Sequence, residues 1–172
     1  MEKEFFERDA EKVARELLGK ILIRKLGDRV LKAKILETEA YYGENDSASR
    51  ACQNGDLRAT MKMEGGSILV YGVHNNWMLN FVTGGEGKAE AVLLRALEPL
   101  NFQGKCSGPG LLTRALLIDK RFHKQNIVDN KELCIEDGSE NFEIVESFRI
   151  GVKKDLPRKL RFYIKGSEVS RK

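Results

Sequence analysis

A period of two runs through this chain more insistently than any helical period, and it limits the folds available. Leu31, Ala33 and Ile35 alternate with Lys32 and Lys34, the pattern of a strand with one buried face. Ile21 and Ile23 alternate with Leu22 and Arg24, and Gly27-Asp28 between the two runs offers a turn. The pair predicts a hairpin. Further strands are expected over 67–73, 77–82 and 89–97, with Gly84-Gly85 turning the chain between the last two. Toward the C-terminus they are expected over 133–136, 142–152 and 160–165, and in the second of these Phe142, Ile144, Phe148, Ile150 and Val152 share one parity. Helical spacing is confined to two places. Asp9 is placed to cap a helix with the stripe Ala10, Val13, Ala14, Leu17 and Leu18, stopped by Gly19. Gly108-Pro109-Gly110 opens a second helix carrying Leu111, Leu112, Ala115 and Leu116. The stretch 44–66 shows no periodicity and is expected to be a long loop. Strands dominate and βαβ alternation is missing, so the chain is expected to be α+β around a mostly antiparallel sheet.

Bulk properties narrow the class further. A chain of 172 residues suits one domain, taken here as 1–172. Hydrophobic residues at 41% and charged residues at 33% are ordinary for a soluble globular protein. Apolar runs fall far short of the ~20 residues a membrane helix needs, so no membrane partner is expected. The N-terminal MEKEFFERDAEKVARE is charged throughout and is not a secretory signal. Cys52, Cys106 and Cys134 form no CxxC pair, and His74 and His123 are the only histidines. No metal and no cofactor are expected, and a reduced, prokaryote-like cytoplasm is the expected location. The net charge is +4, but it is unevenly spread. Lys and Arg crowd the stretch from Arg149 to Lys172, whereas Glu132 to Glu146 is acidic. Such a basic segment is either a footprint for phosphates or a solvated, ion-paired surface.

Three strand-like runs are interrupted by polar residues where a core wants apolar ones. If the Leu31 strand continues, its buried parity passes through Ile35 to Glu37, Glu39 and Tyr41. Carboxylates on an inward face are costly unless paired or put to use. The plain alternative is that the strand ends at Leu36 and both glutamates are solvated. Asn80 interrupts Trp77–Val82, and Arg95 interrupts Ala91–Leu97. Singly, a buried Asn rigidifies a core and a buried Arg makes a structural ion pair. Together on three strands they suggest one polar site. A carboxylate, an amide and a guanidinium there suit activating water, reading a polar edge and holding a phosphate. Other hydrolase and nucleotide-binding signatures (GxGxxG, the P-loop, HExxH, GxSxG) are missing from the sequence.

At these residues the chain resembles the alkyladenine (3-methyladenine) DNA glycosylase family. Glu37-Thr38-Glu39-Ala40-Tyr41 is similar to its ETEAY signature, and Leu93-Leu94-Arg95-Ala96-Leu97-Glu98-Pro99-Leu100 to a second family motif. Cys106-Ser107-Gly108-Pro109 and Leu160–Ser167 follow in the family's order. The resemblance implies a single mixed domain with a curved antiparallel sheet flanked by helices, acting as a monomer on double-stranded DNA. It implies a monofunctional hydrolase that flips alkylated or deaminated purines out of the duplex and cuts their N-glycosidic bond. By position, Glu39 becomes the general base, Arg95 a water-site and phosphate contact, and the Ile150 backbone carbonyl a further holder of the water. Tyr41, Arg50, Tyr71 and Asn80 become base-pocket residues, with Asn80 crowding the exocyclic amine of guanine, and Tyr71 and His74 become DNA contacts. None of these motifs contains a lysine in a catalytic position, so no Schiff base with the sugar is expected.

Two departures stand out. Where the family usually carries a histidine, this chain has Arg50. Where the family commonly reads YVY-x-x-YGM, the run here is Leu69-Val70-Tyr71-Gly72-Val73-His74-Asn75-Asn76-Trp77. It aligns only with a gap, leaving Tyr71 as pocket wall or wedge between bases, and Val73 or His74 at a hairpin tip. Alternatives from other classes are a non-catalytic nucleic-acid-binding domain of the same fold and an unrelated small-molecule hydrolase.

Overall fold

A computed structural model describes residues 1–138 and 141–170. Arg171, Lys172 and Glu140, counted above in the basic and acidic segments, lie outside the described residues. The framework is a curled antiparallel sheet in which strands follow the order β3-β4-β5-β2-β1-β6, while β8 joins β2 and carries β7. Its members are β1 (Ile21–Leu26), β2 (Arg29–Tyr41), β3 (Ile68–Val73), β4 (Asn76–Val82), β5 (Ala91–Pro99), β6 (Leu133–Glu136), β7 (Ile144–Ser147) and β8 (Arg161–Ile164). Helices α1 (Lys3–Phe6), α2 (Ala10–Leu17), α3 (Asp56–Met61) and α4 (Pro109–Ala115) flank it. Asp9 caps α2 by accepting from the backbone N–H groups of Glu11 and Lys12, and Gly19 leaves the helix at φ 79°.

The β1–β2 hairpin forms as expected, but the register pairs Leu22 with Ala33 and Arg24 with Leu31. Leu22 and Arg24 therefore share the core face with Ala33 and Leu31, and Ile21 and Ile23 stand opposite. Arg24 is fully enclosed there, bonded to Glu132 at 2.8 Å with its guanidinium over Phe122. The stretch 44–66 holds more structure than its sequence suggests: a 3-10 turn at Arg50–Cys52 and then α3. Both are shorter than the window in which periodicity shows. The expected strand over 142–152 shrinks to β7, because Arg149 is drawn into a buried ion network and Phe148 is left exposed.

The core lies on one face of the sheet. Leu22, Leu31, Ala33 and Ile35 meet Val13, Ala14 and Leu17 of α2 and Leu112 of α4 in one buried cluster. At Leu36 the alternation breaks. Pairing runs Ile35 with Leu97, Glu37 with Ala96 and Thr38 with Leu94, so Leu36 on β2 and Arg95 on β5 are extra residues without direct partners. Leu36 and Ala40 belong to the core cluster, and the Thr38 hydroxyl donates to the Ala14 carbonyl of α2 at 2.8 Å. The expectation that Glu37, Glu39 and Tyr41 continue the Leu31 parity is thus overturned. The bulge at Leu36 turns them to the opposite face, where other elements bury them.

Candidate active site

Strand β2 carries Glu37 and Glu39 onto that second face, and both are 0% exposed. The reading that the strand stops at Leu36 with solvated glutamates does not hold. Glu39 is held by three donors. The Ile150 backbone N–H donates to Oε1 at 2.8 Å, while the Tyr41 hydroxyl and Arg95 donate to Oε2 at 2.7 and 3.2 Å. Burial, the strongest influence, pushes the Glu39 carboxyl above the ordinary carboxylate range; Arg95, Ile150 N–H and Tyr41 pull it back only in part. Tyr41 stays protonated, since burial and the neighbouring carboxylate push its hydroxyl well above the usual value.

Glu37 plays a different part. Its Oε1 accepts from Arg161 at 2.5 Å and from the Ser170 hydroxyl at 2.9 Å, and its Oε2 from the Ser170 backbone N–H at 2.7 Å. Arg95 Nε donates to the same Ser170 hydroxyl at 3.1 Å. The guanidinium is therefore braced from behind by Ser170 and Glu37 while its other end meets Glu39. Being the extra residue of a bulge aims Arg95 this way, a common use of bulges beside functional centres.

A small cavity opens beside Tyr41, the residue whose hydroxyl donates to Glu39. Its walls include Tyr41, Arg50, Met61, Leu69, Tyr71, Asn80 and Ala91. Register explains the gathering: Leu69 pairs with Asn80, Asn80 with Leu93 and Leu93 with Glu39, so side chains from four strands share one face. Asn80 is 2% exposed, and its amide donates to the Leu69 carbonyl at 3.1 Å. The Arg50 guanidinium lies 4.6 Å from the centre of the Tyr71 ring. Burial raises the Tyr71 hydroxyl above its usual value.

The expected site residues thus divide. Glu39, Arg95, Tyr41 and Ile150 meet directly, and Tyr71, Asn80 and Arg50 line the adjoining cavity. For Ile150 the visible contact with Glu39 is through its N–H. His74 stands apart, at the exposed tip of the β3–β4 hairpin. Val73 pairs with Asn76, and the two residues between, His74 and Asn75, have φ 46° and 61°, the geometry of a type I′ turn.

Sequence reasoning missed Asp46. Arg149 bonds Asp46 through both terminal nitrogens at 2.7 and 2.8 Å, Asp155 at 2.6 Å and the Ala40 carbonyl at 3.1 Å. Arg149 also covers one face of Tyr41 at 4.5 Å. This network fixes the segment whose next residue, Ile150, reaches Glu39, and Gly151 at φ 73° then turns the chain away. Asp46 sits in an aperiodic stretch, and no local signal ties it to Arg149. Among the described residues no cluster of ligands suited to a metal ion occurs, and no helix is long and apolar enough to cross a membrane.

The site thus combines a carboxylate sealed among donors with an adjoining cavity walled in part by tyrosines, chemistry suited to activating water. The family profile of methylpurine-DNA glycosylase matches residues 4–168. A protein of Aeropyrum pernix is 43% identical, covering 96% of this chain and 89% of its own length. One of Borreliella afzelii is 38% identical over 99% of this chain and 100% of its own, and one of Legionella pneumophila 40% identical over 94% and 92%. Each bears the name "Putative 3-methyladenine DNA glycosylase". The chain belongs to the methylpurine-DNA glycosylase family, and is thereby a DNA glycosylase, a hydrolase of N-glycosyl bonds.

Proposed function

We propose that this enzyme removes alkylated and deaminated purines of the 3-methyladenine, 7-methylguanine, hypoxanthine and ethenoadenine class from duplex DNA, with Glu39 activating the attacking water. The observation that carries the reading is the buried Glu39, held by Arg95, Ile150 and Tyr41, the last of which also lines the cavity. A target base inside a duplex is out of reach, so it must be extruded into the cavity. Departure of the purine leaves positive charge on the sugar. An ionised Glu39 stabilises that charge and takes a proton from water as it adds. Arg95 and the Ile150 N–H favour the ionised form and fix its direction.

Tyr41 serves as an aromatic face for the flipped base, and Asn80 crowds the exocyclic amine that distinguishes guanine. Tyr71, half-buried in the cavity wall, suits a pocket role. The exposed turn at His74-Asn75 suits the wedge that fills the vacated stack. Three donors surround Glu39 and none is an amine nucleophile, so the reaction is monofunctional. Borohydride added during turnover should trap no protein–DNA adduct, and the product strand should stay uncut until alkali is added.

The direct experiment incubates the protein with a duplex containing one hypoxanthine or one alkylated adenine and assays abasic sites. Wild type should generate them, and Glu39→Gln should not. Equal release by both would reject Glu39 as the base.

A further inference from the structure

We propose that Arg50 selects among damaged bases, disfavouring positively charged purines and favouring neutral ones that present hydrogen-bond acceptors to it. The inference rests on the glycosylase reading above and concerns which substrates that same cavity accepts.

The backbone at Arg50 is firmly placed. Ser49 caps the 3-10 turn by accepting from the Ala51 N–H, Ala51 is fully buried, and Arg58 Nε donates to the Ala51 carbonyl at 2.6 Å. The side chain is exposed and lies on the Tyr71 ring, at the wall of the cavity that also holds Tyr41 and Asn80. Its charge is not matched. Arg149, stacked on Tyr41, is neutralised by Asp46 and Asp155, and Arg95 is paired with Glu39. Among the described residues, no carboxylate lies within ion-pair distance of Arg50.

Two effects then act on an entering base. A cationic purine competes with Arg50 for the Tyr71 face, a seat that a cation already fills, and is repelled by an unneutralised charge across a narrow gap. A guanidinium also has donors and no acceptor. It pairs with the O6 and N7 acceptors of a 6-oxopurine edge and finds no partner in an exocyclic amine, which offers donors. Hypoxanthine meets both conditions, being neutral and acceptor-edged. 3-Methyladenine is cationic and sets an amine beside its N7, where hypoxanthine sets a second acceptor.

The test compares single-turnover release of hypoxanthine from a defined duplex with release of 3-methyladenine and 7-methylguanine from dimethyl-sulfate-treated DNA. The readout is the cationic-to-neutral rate ratio, which partial unfolding leaves unchanged because it lowers both rates alike. Arg50→Gln should raise the ratio about tenfold, the size expected for removing one partly screened charge near another. Arg50→Lys, which keeps the charge, should stay near the wild-type ratio. An unchanged ratio in Arg50→Gln, or an equal rise in Arg50→Lys, overturns the inference. Failure of the wild type to release any of the three bases overturns the glycosylase reading instead.

Discussion

Glu39 is pulled in two directions, and with Glu39 as the proposed base the balance predicts how activity depends on pH. Burial raises its pKa above the ordinary 4.5, while Arg95, the Ile150 N–H and Tyr41 lower it again. A general base works only when ionised, so activity is present above that raised pKa and lost as pH falls through it. The acid limb of the single-turnover rate should therefore lie above the usual carboxylate range. Arg95→Met removes the strongest charge-stabilising neighbour and should move the limb to higher pH. Tyr41→Phe should move it the same way by less. A limb that moves down in either variant contradicts the assignment. The two glutamates should also separate cleanly. Glu39→Gln should stop base release while the melting temperature stays near wild type, since the raised pKa means the ionised form opposes folding. Glu37→Gln should instead cost about 3 kcal/mol, because it weakens a buried pair with Arg161 while glutamine keeps part of the hydrogen bonding. Thermal unfolding and single-turnover assays on both variants decide this.

Elements carry the site through a few anchored segments, and they differ in how legible they are in the sequence. The strands that bring Glu39, Asn80 and Arg95 together announce themselves by alternation, and the polar residues by interrupting it. Helix α3 does not, for it is a short element held by tertiary contacts. His123 accepts from the Val70 N–H at 3.1 Å and meets Asp56 of α3 at 2.9 Å, partners far apart in the chain. The bulge is equally hidden. Nothing in Ile35-Leu36-Glu37 distinguishes a skipped residue from a paired one, so alternation finds the right residues and assigns them the wrong face. The segment around Ile150 depends on Arg149, whose side chain and that of Asp46 are fully buried. Arg149→Met should cost about 3–5 kcal/mol by leaving Asp46 buried without its cation, a fall in melting temperature on the order of 10 °C. At the hairpin tip, His74→Ala should leave stability unchanged but weaken flipping, read as reduced fluorescence from 2-aminopurine beside a lesion. Normal flipping there would move the wedge off this turn.

Across the whole molecule, charge is less available than the sequence implies. The basic C-terminal stretch suggests a footprint for phosphates, yet much of it is spent internally. Arg149 and Arg161 are buried in ion pairs, Arg158 bonds Glu11 at 2.7 Å and Lys165 bonds Glu143 at 2.8 Å. Burial and pairing are long-range outcomes, which a count of lysines and arginines does not contain. Lys153 and Lys154 are exposed, in the loop that follows Ile150, and we propose that they meet the duplex. Replacing both with alanine should flatten the dependence of log affinity on log salt by about 0.9 for each phosphate no longer neutralised. Arg161→Ala should lower stability and leave that slope alone, as should Arg95→Met, whose guanidinium is committed to carboxylates. A slope that follows Arg161 in binding titrations would return the footprint to the buried arginines.

Leu36 acts as a phase marker between the two sides of the sheet. Up to Ile35 the odd-numbered side chains of β2 point to the core, and from Leu36 onward the even-numbered ones do. Deleting that single residue would leave Glu37, Glu39 and Tyr41 on the cavity side, since Ile35 and Glu37 would then simply alternate; pairing Leu36 in step with its neighbours would instead send them into the oily layer against α2 and turn Thr38 and Ala40 toward the cavity. One skipped residue, and not the letters around it, thus decides whether the same side chains meet a medium of polar edges or one of leucines.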